Sequence, residues 1–404
     1  MRGIIRVSHA VASLARTRLL WQGVLLPLPC RKGIVMTSAP EFIVEPHPHP
    51  VDAVTRAAMI ENPGFGSVFT DHMVTIRYTE GHDGPWGGWH SPTIGPRKAI
   101  PLDPATAVLH YAQEIFEGMK AYRHADGQIA LFRPEQNALR FNRSAARLAM
   151  PALPEELFLA SIDEIVRTDK DWMPSVEGGS LYLRPFMFAS EAFLGVRPAK
   201  EYLYIVIVSP AGAYFKSGAP AVKIWVSEDY SRAGPGGTGA AKCGGNYAAS
   251  LLPQSEAIAQ GCDQVVFLDA KEHRWIDELG GMNLFFLFDD GRMITPPLGT
   301  ILPGITRDSI MQLARDEGIS VSEEAYAIDQ WEADAKSGKL VEAFACGTAA
   351  VVTPVGEVRG KHHNFTIGAG GPGQLTVKLR EKLTGIQRGT LPDPYGWVRT
   401  VAGV

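Results

Sequence analysis

The sequence predicts an α/β protein of two domains with a cleft between them. The chain of 404 residues is long enough for two hydrophobic cores. Segments with strand-like alternation and segments with helical spacing of apolar residues occur in both halves. A stretch rich in Pro, Gly and Ala, PAGAYFKSGAP, separates the halves at positions 210–220. We therefore predict a small N-terminal domain over 36–212, a linker over 213–221, a larger C-terminal domain over 222–404 and a ligand site between the domains.

The N-terminal half contains segments of both strand and helix character. MVTIRY alternates apolar and other residues, and the apolar run EYLYIVIVS is typical of a strand that is buried on both faces. Pro134 suits the first turn of a helix, where its missing N–H needs no partner. The predicted strands are 73–78, 127–132, 180–190 and 201–209, and the predicted helices begin at 134 and span 154–172.

The C-terminal half has the same mixed character. Asp290-Gly291 suits a hairpin turn between two strands. Thr306 suits the N-cap of a helix that ends at Gly318. The predicted strands are 222–229, 263–270 and a meander over 273–293, and the predicted helices are 306–318, 329–338 and 374–389.

Composition argues against several classes of function. The formal net charge of -4 disfavours nucleic acid as the main partner. No segment reaches the ~20 apolar residues of a membrane helix, so we expect no membrane association. The cysteines show no zinc-type spacing, so we expect no metal site and free thiols in a reducing compartment.

The first forty residues differ from the rest of the chain. They contain five arginines and one lysine, and no acidic residue precedes Glu41. This composition is typical of an organelle transit peptide, and it equally suits an upstream stretch that precedes a true start at Met36. We therefore place residues 1–35 outside the fold.

A single lysine stands between two glycine-rich runs in GPGGTGAAKCGGNYAAS, positions 234–250. Glycine is usually kept where backbone turns sharply or approaches a ligand closely, so Lys242 lies either in a flexible loop or beside a bound molecule. A Walker A loop needs Gly-Lys-Ser/Thr, but Ala240 and Ala241 precede the lysine and Cys243 follows it. A dinucleotide fingerprint is also missing, which disfavours a nucleotide site.

A lysine amine that is shielded from water becomes a nucleophile, as a Schiff base with the aldehyde of pyridoxal phosphate requires. Such a site also needs a carboxylate for the ring nitrogen and N–H groups or an arginine for the phosphate. WIDELGG places Asp277 and Glu278 on opposite faces of a strand, so that one points inward and the other meets solvent. LPGITRDS places the N–H groups of Ile305 and Thr306 at a helix start, and Thr348 lies in a second turn of small residues.

Each of these features has an ordinary explanation when it is taken alone: Glu278 as a solvated strand residue, Thr306 as an N-cap and Thr348 as a turn residue. Eight motifs in order are far more specific. They are FTDHM, LHYAQEIFEGMKAYR, SLYLRPF, GGTGAAKCGGNYAASL, DELGGMN, ILPGITRDS, ACGTAAVVTPV and KLTGIQRG. From about Phe65 to Arg388 the chain resembles the branched-chain amino-acid aminotransferases among the fold-type IV pyridoxal-phosphate enzymes, and its detail is closer to actinobacterial than to animal members.

The resemblance implies how the chain holds pyridoxal 5'-phosphate, mainly in its C-terminal domain. Lys242 matches the catalytic lysine that forms the Schiff base. Glu278 and Tyr247 match the partners of the pyridine nitrogen and the phenolic oxygen. The residues that match phosphate contacts are Arg140, Ile305, Thr306 and Thr348. Arg140 has an ordinary alternative as well, because it shares a helix face with two further arginines that would form a solvated stripe with it.

The resemblance also implies a substrate pocket and a homodimer. The residues that match the pocket lining are Phe65, Tyr111, Tyr182 and Arg184, and the turn at Thr348 and Ala349 matches the seat of the substrate carboxylate. Leu194 and Val196 match a loop that reaches into the pocket of a partner subunit. Tyr182 and Arg184 are two apart on a strand and therefore share a face.

The implied activity is a reversible transamination from L-leucine, L-isoleucine or L-valine to 2-oxoglutarate, which gives branched 2-oxo acids and L-glutamate. One methylene contributes only ~1–3 kcal/mol of discrimination, so all three amino acids should be accepted. We expect a bacterial cytoplasmic enzyme, or one of an organelle matrix if residues 1–35 are a transit peptide. The alternatives are a D-amino-acid aminotransferase, an aminodeoxychorismate-lyase-like enzyme and a non-catalytic pyridoxal-phosphate-binding protein. SLYLRPF and LHYAQEIFEG favour the branched-chain type.

Overall fold

The structure is a computed structural model that describes residues 40–176, 178–212 and 221–403. Two mixed sheets form the framework of this described part of the chain. The predicted extension over 1–35 and residues 213–220 of the predicted linker lie outside the described residues. All described residues belong to one compact unit, so the division into two domains stays a prediction.

The first sheet contains the strands β1 (Ile43–Val44), β2 (His72–Thr79), β3 (Trp89–Pro96), β4 (Glu114–Phe116), β5 (Met119–Arg123), β6 (Ile129–Phe132), β7 (Ser180–Ala189), β8 (Glu201–Ala211) and, from the end of the chain, β18 (Val398–Thr400). It is mostly antiparallel and has the strand order β1-β3-β2-β8-β7-β5-β6-β18, with β4 paired to β7. The helices are α1 (Ala53–Glu61), α2 (Ala107–Tyr111), α3 (Pro134–Arg147) and α4 (Glu155–Thr168). Helices α3 and α4 each place apolar residues at helical spacing, and Pro134 occupies the first turn of α3 as predicted.

The second sheet contains the strands β9 (Val222–Ser227), β10 (Gln264–Leu268), β11 (Ile276–Leu279), β12 (Asn283–Phe288), β13 (Arg292–Thr295), β14 (Ser320–Glu323), β15 (Leu340–Gly347), β16 (Val351–Arg359) and β17 (Asn364–Thr366). Its strand order is β11-β10-β9-β16-β15-β12-β13-β14, with β17 paired to β16. Its helices are α5 (Gly244–Ala248), α6 (Leu251–Ala259), α7 (Ile305–Asp316), α8 (Ile328–Ser337) and α9 (Gln374–Gln387). The last strand, β18 (Val398–Thr400), pairs with β6 of the first sheet.

Buried aromatic residues fill the space beside each sheet. Phe141 of α3 and Phe158 of α4 pack against Tyr204 of β8 in the core of the first sheet. Trp331 of α8 packs edge-to-face against Phe286 on one face of the second sheet. A third cluster contains residues of α7 and α9 together with residues of β5, β6, β12 and β15. It therefore joins the two sheets through apolar contacts.

The predicted elements are largely present, with one error at a helix start. The sequence predicts Thr306 as the N-cap, but α7 begins at Ile305 and its N-cap is Gly304, whose extended backbone (φ -69°, ψ 130°) leads into the helix. Thr306 therefore lies inside the first turn. Within the described residues, no helix has the length and apolar character needed to cross a membrane.

Candidate active site

The Lys242 backbone is fixed on both sides by the first half of the chain. Its N–H donates to the hydroxyl of Ser144 on α3 at 2.9 Å, and its carbonyl oxygen accepts from the N–H of Phe116 on β4 at 3.0 Å. The side chain is half-buried. Its Nζ donates to the hydroxyl of Tyr247 at 2.6 Å and lies 4.7 Å from the centre of the Phe116 ring. The amine is thus held at a defined place between the two halves.

The glycines around Lys242 leave space for neighbouring groups. A side chain at Gly239 would collide with the backbone oxygen of Thr300, and one at Gly244 would collide with the Glu114 carboxylate. Both collisions involve groups that pack against the lysine segment. The glycine-rich runs therefore let this segment lie close to its surroundings.

Glu278 is a buried carboxylate with several partners. It forms an ion pair with Arg232 at 2.7 Å and accepts from the side-chain amide of Asn283 at 3.0 Å. The N–H of Leu302 donates to it at 3.4 Å. Burial raises the pKa of Glu278 to about 7, against the opposite influence of Arg232. Such a carboxyl group, held in place and able to ionise near neutral pH, can hold a proton on a ring nitrogen.

The expected exposure of one carboxylate in this strand is wrong. Asp277 and Glu278 alternate on β11 as predicted, but both are buried, and the Thr300 hydroxyl donates to Asp277 at 3.0 Å. Every residue of β11 is buried, so alternation here separates two interior environments. The alternation of residues along a strand does not show from the sequence alone whether both of its faces are covered.

Arg140 and the start of α7 lie together. The guanidinium of Arg140 makes two hydrogen bonds of 2.8 Å to Glu117 and a third, of 3.2 Å, to the backbone oxygen of Pro303. Pro303 directly precedes Gly304, the N-cap, so an arginine and a helix N-terminus converge here. The first N–H groups of a helix have no intrahelical acceptor, which suits a phosphate group.

The solvated-stripe alternative does not describe Arg140. Its side chain is almost completely buried, whereas Arg143 and Arg147 on the same helix are exposed. Arg147 donates to the backbone oxygens of Gly236 and Gly237 at 2.9 and 3.2 Å. Arg140 thus has an interior environment of its own, with Glu117 as its counter-charge.

The turn between β15 and β16 is tied to the first sheet by a lysine that sequence reasoning missed. Thr348 and Ala349 lie in this turn, and Lys120 on β5 donates to the carbonyl oxygen of Ala349 at 2.8 Å. Lys120 is buried, and this burial, together with the charge of Arg388, lowers its pKa to about 8. A buried cation thus lies behind the predicted seat of the substrate carboxylate.

The predicted pocket residues form two groups. In the first, the Phe65 ring packs edge-to-face against Tyr182 at 4.9 Å, and Arg184 donates to the Tyr182 hydroxyl at 3.0 Å. Arg184 also lies 4.8 Å from the centre of the Phe116 ring, which faces Lys242. This group therefore adjoins the amine.

The second group of predicted pocket residues lies on the surface of the protein. The Tyr111 hydroxyl donates to the backbone oxygen of Leu194. Tyr111 is 38% exposed, Leu194 66% and Val196 89%. Large exposed apolar side chains of this kind are typical of a contact surface.

The polar groups fit pyridoxal phosphate. An amine, a phenol, a buried carboxylate, an arginine and a helix N-terminus are the groups that this molecule needs for its aldehyde, ring oxygen, ring nitrogen and phosphate. Sequence reasoning missed three charged residues of the surroundings, Glu117, Lys120 and Arg232. They are distant in the sequence from the residues that they contact, and a local sequence motif does not predict such a contact.

Comparisons with known proteins agree with this chemistry. The family model described as amino-transferase class IV matches residues 114–358. A probable branched-chain-amino-acid aminotransferase of Streptomyces coelicolor is 54% identical over 90% of this chain and 100% of its own length. A branched-chain-amino-acid aminotransferase of Mycolicibacterium smegmatis is 55% identical over 90% of this chain and 99% of its own length.

Solved structures give the same result. A branched-chain amino acid aminotransferase solved with pyridoxamine 5'-phosphate aligns with a TM-score of 0.65 and 31% identity over 81% of this chain and 98% of that chain. The Escherichia coli enzyme aligns with a TM-score of 0.65 and 28% identity over 81% of this chain and 99% of that chain. The α/β fold, the aminotransferase activity and pyridoxal phosphate as cofactor are thereby confirmed. The chain belongs to the branched-chain amino-acid aminotransferases of the class IV aminotransferase family.

Proposed function

We propose that this chain transfers the amino group of L-leucine, L-isoleucine or L-valine reversibly to 2-oxoglutarate, and that Lys242 is its catalytic residue. The observation that carries the proposal is the hydrogen bond of 2.6 Å between Lys242 Nζ and the Tyr247 hydroxyl, in a site that also holds the buried Glu278. Pyridoxal phosphate, when bound, supplies an aldehyde for the amine and a ring that withdraws electrons from the substrate Cα.

The chain's own groups divide the work of holding the cofactor. The phosphate would be bound by Arg140, the N–H groups of Ile305 and Thr306, and Thr348. Tyr247 would donate to the phenolic oxygen, and Glu278 would hold a proton at the ring nitrogen. The Arg232 ion pair favours the ionised form of Glu278, which this role requires.

The chain's group for moving the proton of the substrate Cα is the Lys242 amine. With its Nζ free and neutral, Lys242 would act as general base: it would take the proton from the substrate Cα and pass it to the aldehyde carbon of the cofactor. The two backbone hydrogen bonds, to Ser144 and from Phe116, hold the lysine segment during this exchange. A fixed backbone keeps the moving amine within reach of both carbons.

The pocket accepts side chains of two kinds. Phe65 and Tyr182 offer an apolar surface for branched side chains, and Arg184 offers a charge for the second carboxylate of glutamate. The backbone N–H groups at Thr348 and Ala349 bind the carboxylate that both substrates share. Lys120 fixes this turn through the Ala349 oxygen.

The active form is a homodimer in the cytoplasm. The exposure of Leu194 and Val196 supports a role in the partner's pocket, and the Tyr111 bond to Leu194 would carry Tyr111 there with the loop. The cytoplasmic location is supported by the free thiols of the described cysteines Cys243, Cys262 and Cys346, since reduced thiols are usual there.

A single-turnover reaction tests this proposal. Protein loaded with pyridoxal phosphate and mixed with L-leucine alone should form one branched 2-oxo acid per subunit and lose its long-wavelength absorption. Adding 2-oxoglutarate should restore the absorption and release glutamate. Reaction with D-leucine in preference to L-leucine would favour the D-amino-acid alternative, and an unchanged spectrum would favour a non-catalytic binding protein.

A further inference from the structure

Glu114 links the lysine segment to strand β4. The N–H of Gly244, two residues after Lys242, donates to the Glu114 carboxylate. Two residues along the strand, the N–H of Phe116 donates to the carbonyl oxygen of Lys242 at 3.0 Å. A side chain at Gly244 would collide with the Glu114 carboxylate, so the glycine is needed for this contact. Strand β4 therefore holds the lysine segment at two points.

Glu114 also lies on the face of β4 that adjoins the predicted substrate pocket. Residues two apart on a strand share a face, so Glu114 and Phe116 point to the same side, whereas Ile115 between them belongs to the apolar core. The guanidinium of Arg184 lies 4.8 Å from the centre of the Phe116 ring. The half-buried Glu114 carboxylate and the Arg184 cation thus face the same region.

The surroundings of both groups favour an interaction of charges. Burial raises the pKa of Glu114, while the Gly244 N–H bond and the charge of Arg184 both act to lower it. Arg184 donates to Tyr182, but its Nε is buried without a hydrogen-bond partner among the described residues. Arg184 is half-buried. A partly buried cation with an incomplete set of partners is unfavourable unless a negative charge lies nearby.

We propose that Glu114 is a positioning and specificity-determining residue, which fixes the turn that carries Lys242 and offsets the charge of Arg184. This inference rests on the proposed function, in which Arg184 serves the second carboxylate of glutamate. When a leucine side chain fills the pocket, the Glu114 carboxylate offsets the positive charge of Arg184. When glutamate binds, the side-chain carboxylate of the substrate offsets that charge instead. One pocket can then accept an apolar and an acidic side chain in alternate half-reactions.

Two substitutions separate the two roles of Glu114. Glu114→Gln keeps an oxygen that accepts from Gly244 and removes the charge, whereas Glu114→Ala removes both. Glu201→Gln, at an exposed position on β8, is the matched control. Each protein is loaded with pyridoxal phosphate, and the steady-state reactions of L-leucine with 2-oxoglutarate and of L-glutamate with a branched 2-oxo acid are measured separately. Hydrogen exchange of the peptide containing Gly244 is measured in the cofactor-free proteins.

The Glu114→Gln protein should shift its preference toward glutamate. We expect the ratio of kcat/KM for L-glutamate to that for L-leucine to rise by about five- to tenfold, chiefly through a higher KM for L-leucine, with kcat within about twofold of the wild-type value. A ratio equal to that of wild type and Glu201→Gln would overturn the charge role. If wild-type protein converts neither amino acid, it is the proposed function that fails.

The Glu114→Ala protein should show in addition a loosened lysine segment. We expect faster exchange at the Gly244 amide than in wild type, and a kcat lowered by about tenfold for both substrates, since Lys242 is less well placed. Glu114→Gln should restore slow exchange and kcat. Exchange and kcat equal to wild type in Glu114→Ala would overturn the positioning role.

Discussion

At the scale of single residues, the site combines a half-buried lysine with two buried ion pairs. The Lys242 amine donates to the Tyr247 hydroxyl, Glu278 pairs with Arg232, and Glu117 pairs with Arg140. Removing one member of a buried pair leaves the other uncompensated, which is far more harmful than losing an exposed ion pair.

Replacing Lys242 should abolish turnover. We expect Lys242→Ala to lower the rate of the L-leucine single-turnover reaction by about a thousandfold or more, because the general base at Cα is lost. Lys271→Ala, at an exposed site, is the control and should react like wild type. A near-normal rate in Lys242→Ala would remove this lysine from the mechanism.

Glu278 should make the stability of the cofactor-free protein depend on pH. Its pKa is raised from 4.5 to about 7 in the folded protein. The folded state therefore binds the proton more tightly, and its contribution to stability is full below about pH 4.5 and is lost as the pH rises to about 7. We expect a loss on the order of 3 kcal/mol from this group.

Urea unfolding of the cofactor-free protein at several pH values measures this effect. Glu278→Gln cannot ionise, so its free energy of unfolding should lack this part of the decline. Equal pH dependence in wild type and Glu278→Gln would show that Glu278 ionises normally in the folded protein.

Lys120 should affect substrate binding through the turn that it anchors. Lys120→Met removes both the hydrogen bond to Ala349 and the buried charge. We expect KM for L-leucine to rise by about tenfold or more, while Lys120→Arg, which keeps a cationic donor, stays nearer to wild type. Similar KM values for wild type and Lys120→Met would mean that the turn keeps its shape unaided.

At the scale of elements, the start of helix α7 illustrates why a motif alone misplaces a boundary. ILPGITRDS predicts a helix start, but local preference does not decide between Thr306 and Gly304, because Thr and Gly are comparable as N-caps. The structure begins the helix two residues earlier than that cap predicts, with Gly304 as the N-cap. Tertiary packing requires glycine at this N-cap, because a side chain at Gly304 would collide with the Asn283 side chain, which also donates to Glu278.

Gly304→Ala should therefore weaken cofactor binding. The new methyl group should displace either the helix start or Asn283, and both belong to the proposed cofactor site. We expect the dissociation constant of pyridoxal phosphate to rise by about tenfold, measured by titration of the cofactor-free protein. Gly371→Ala is the control, since a side chain there meets nothing within 4 Å. Equal constants for both variants would contradict this account of α7.

The sequence predicts some elements better than others for physical reasons. Strand β8 is an apolar run and α4 has apolar residues at helical spacing, so both are evident from the sequence pattern. Strand β4 has three residues and takes its pairing from β7, and β18 pairs with β6 across most of the chain length. These strands are stabilised by hydrogen bonds to strands that are distant in the sequence, so the residues of the strand alone do not predict them.

At the scale of the whole molecule, the two halves meet at the site. Lys242 comes from the second half, while Ser144 and Phe116, which hold its backbone, come from the first. The combination of eight ordered motifs is needed to predict this meeting, since each motif alone has an ordinary explanation. The charged partners Glu117, Lys120 and Arg232 require the fold.

The proposed homodimer predicts complementation between two inactive proteins. Lys242→Ala lacks the amine. Leu194→Asp combined with Val196→Asp places two charges on the loop that is proposed to enter the partner's pocket, and these charges should prevent its entry. Subunits of the two variants that are unfolded together and refolded as an equal mixture should regain about a quarter of wild-type activity, since one site of each mixed dimer is complete. No recovery, despite mixed dimers shown by mass spectrometry, would place the loop in its own subunit's site.

The central claim is that Lys242 carries the cofactor, and chemical trapping tests it most directly. The protein loaded with pyridoxal phosphate is reduced with borohydride, digested and analysed by peptide mass spectrometry. The account predicts one phosphopyridoxyl group per subunit, on the peptide that contains Lys242, and none in Lys242→Ala. A label on another lysine, or an unchanged label in Lys242→Ala, would contradict it.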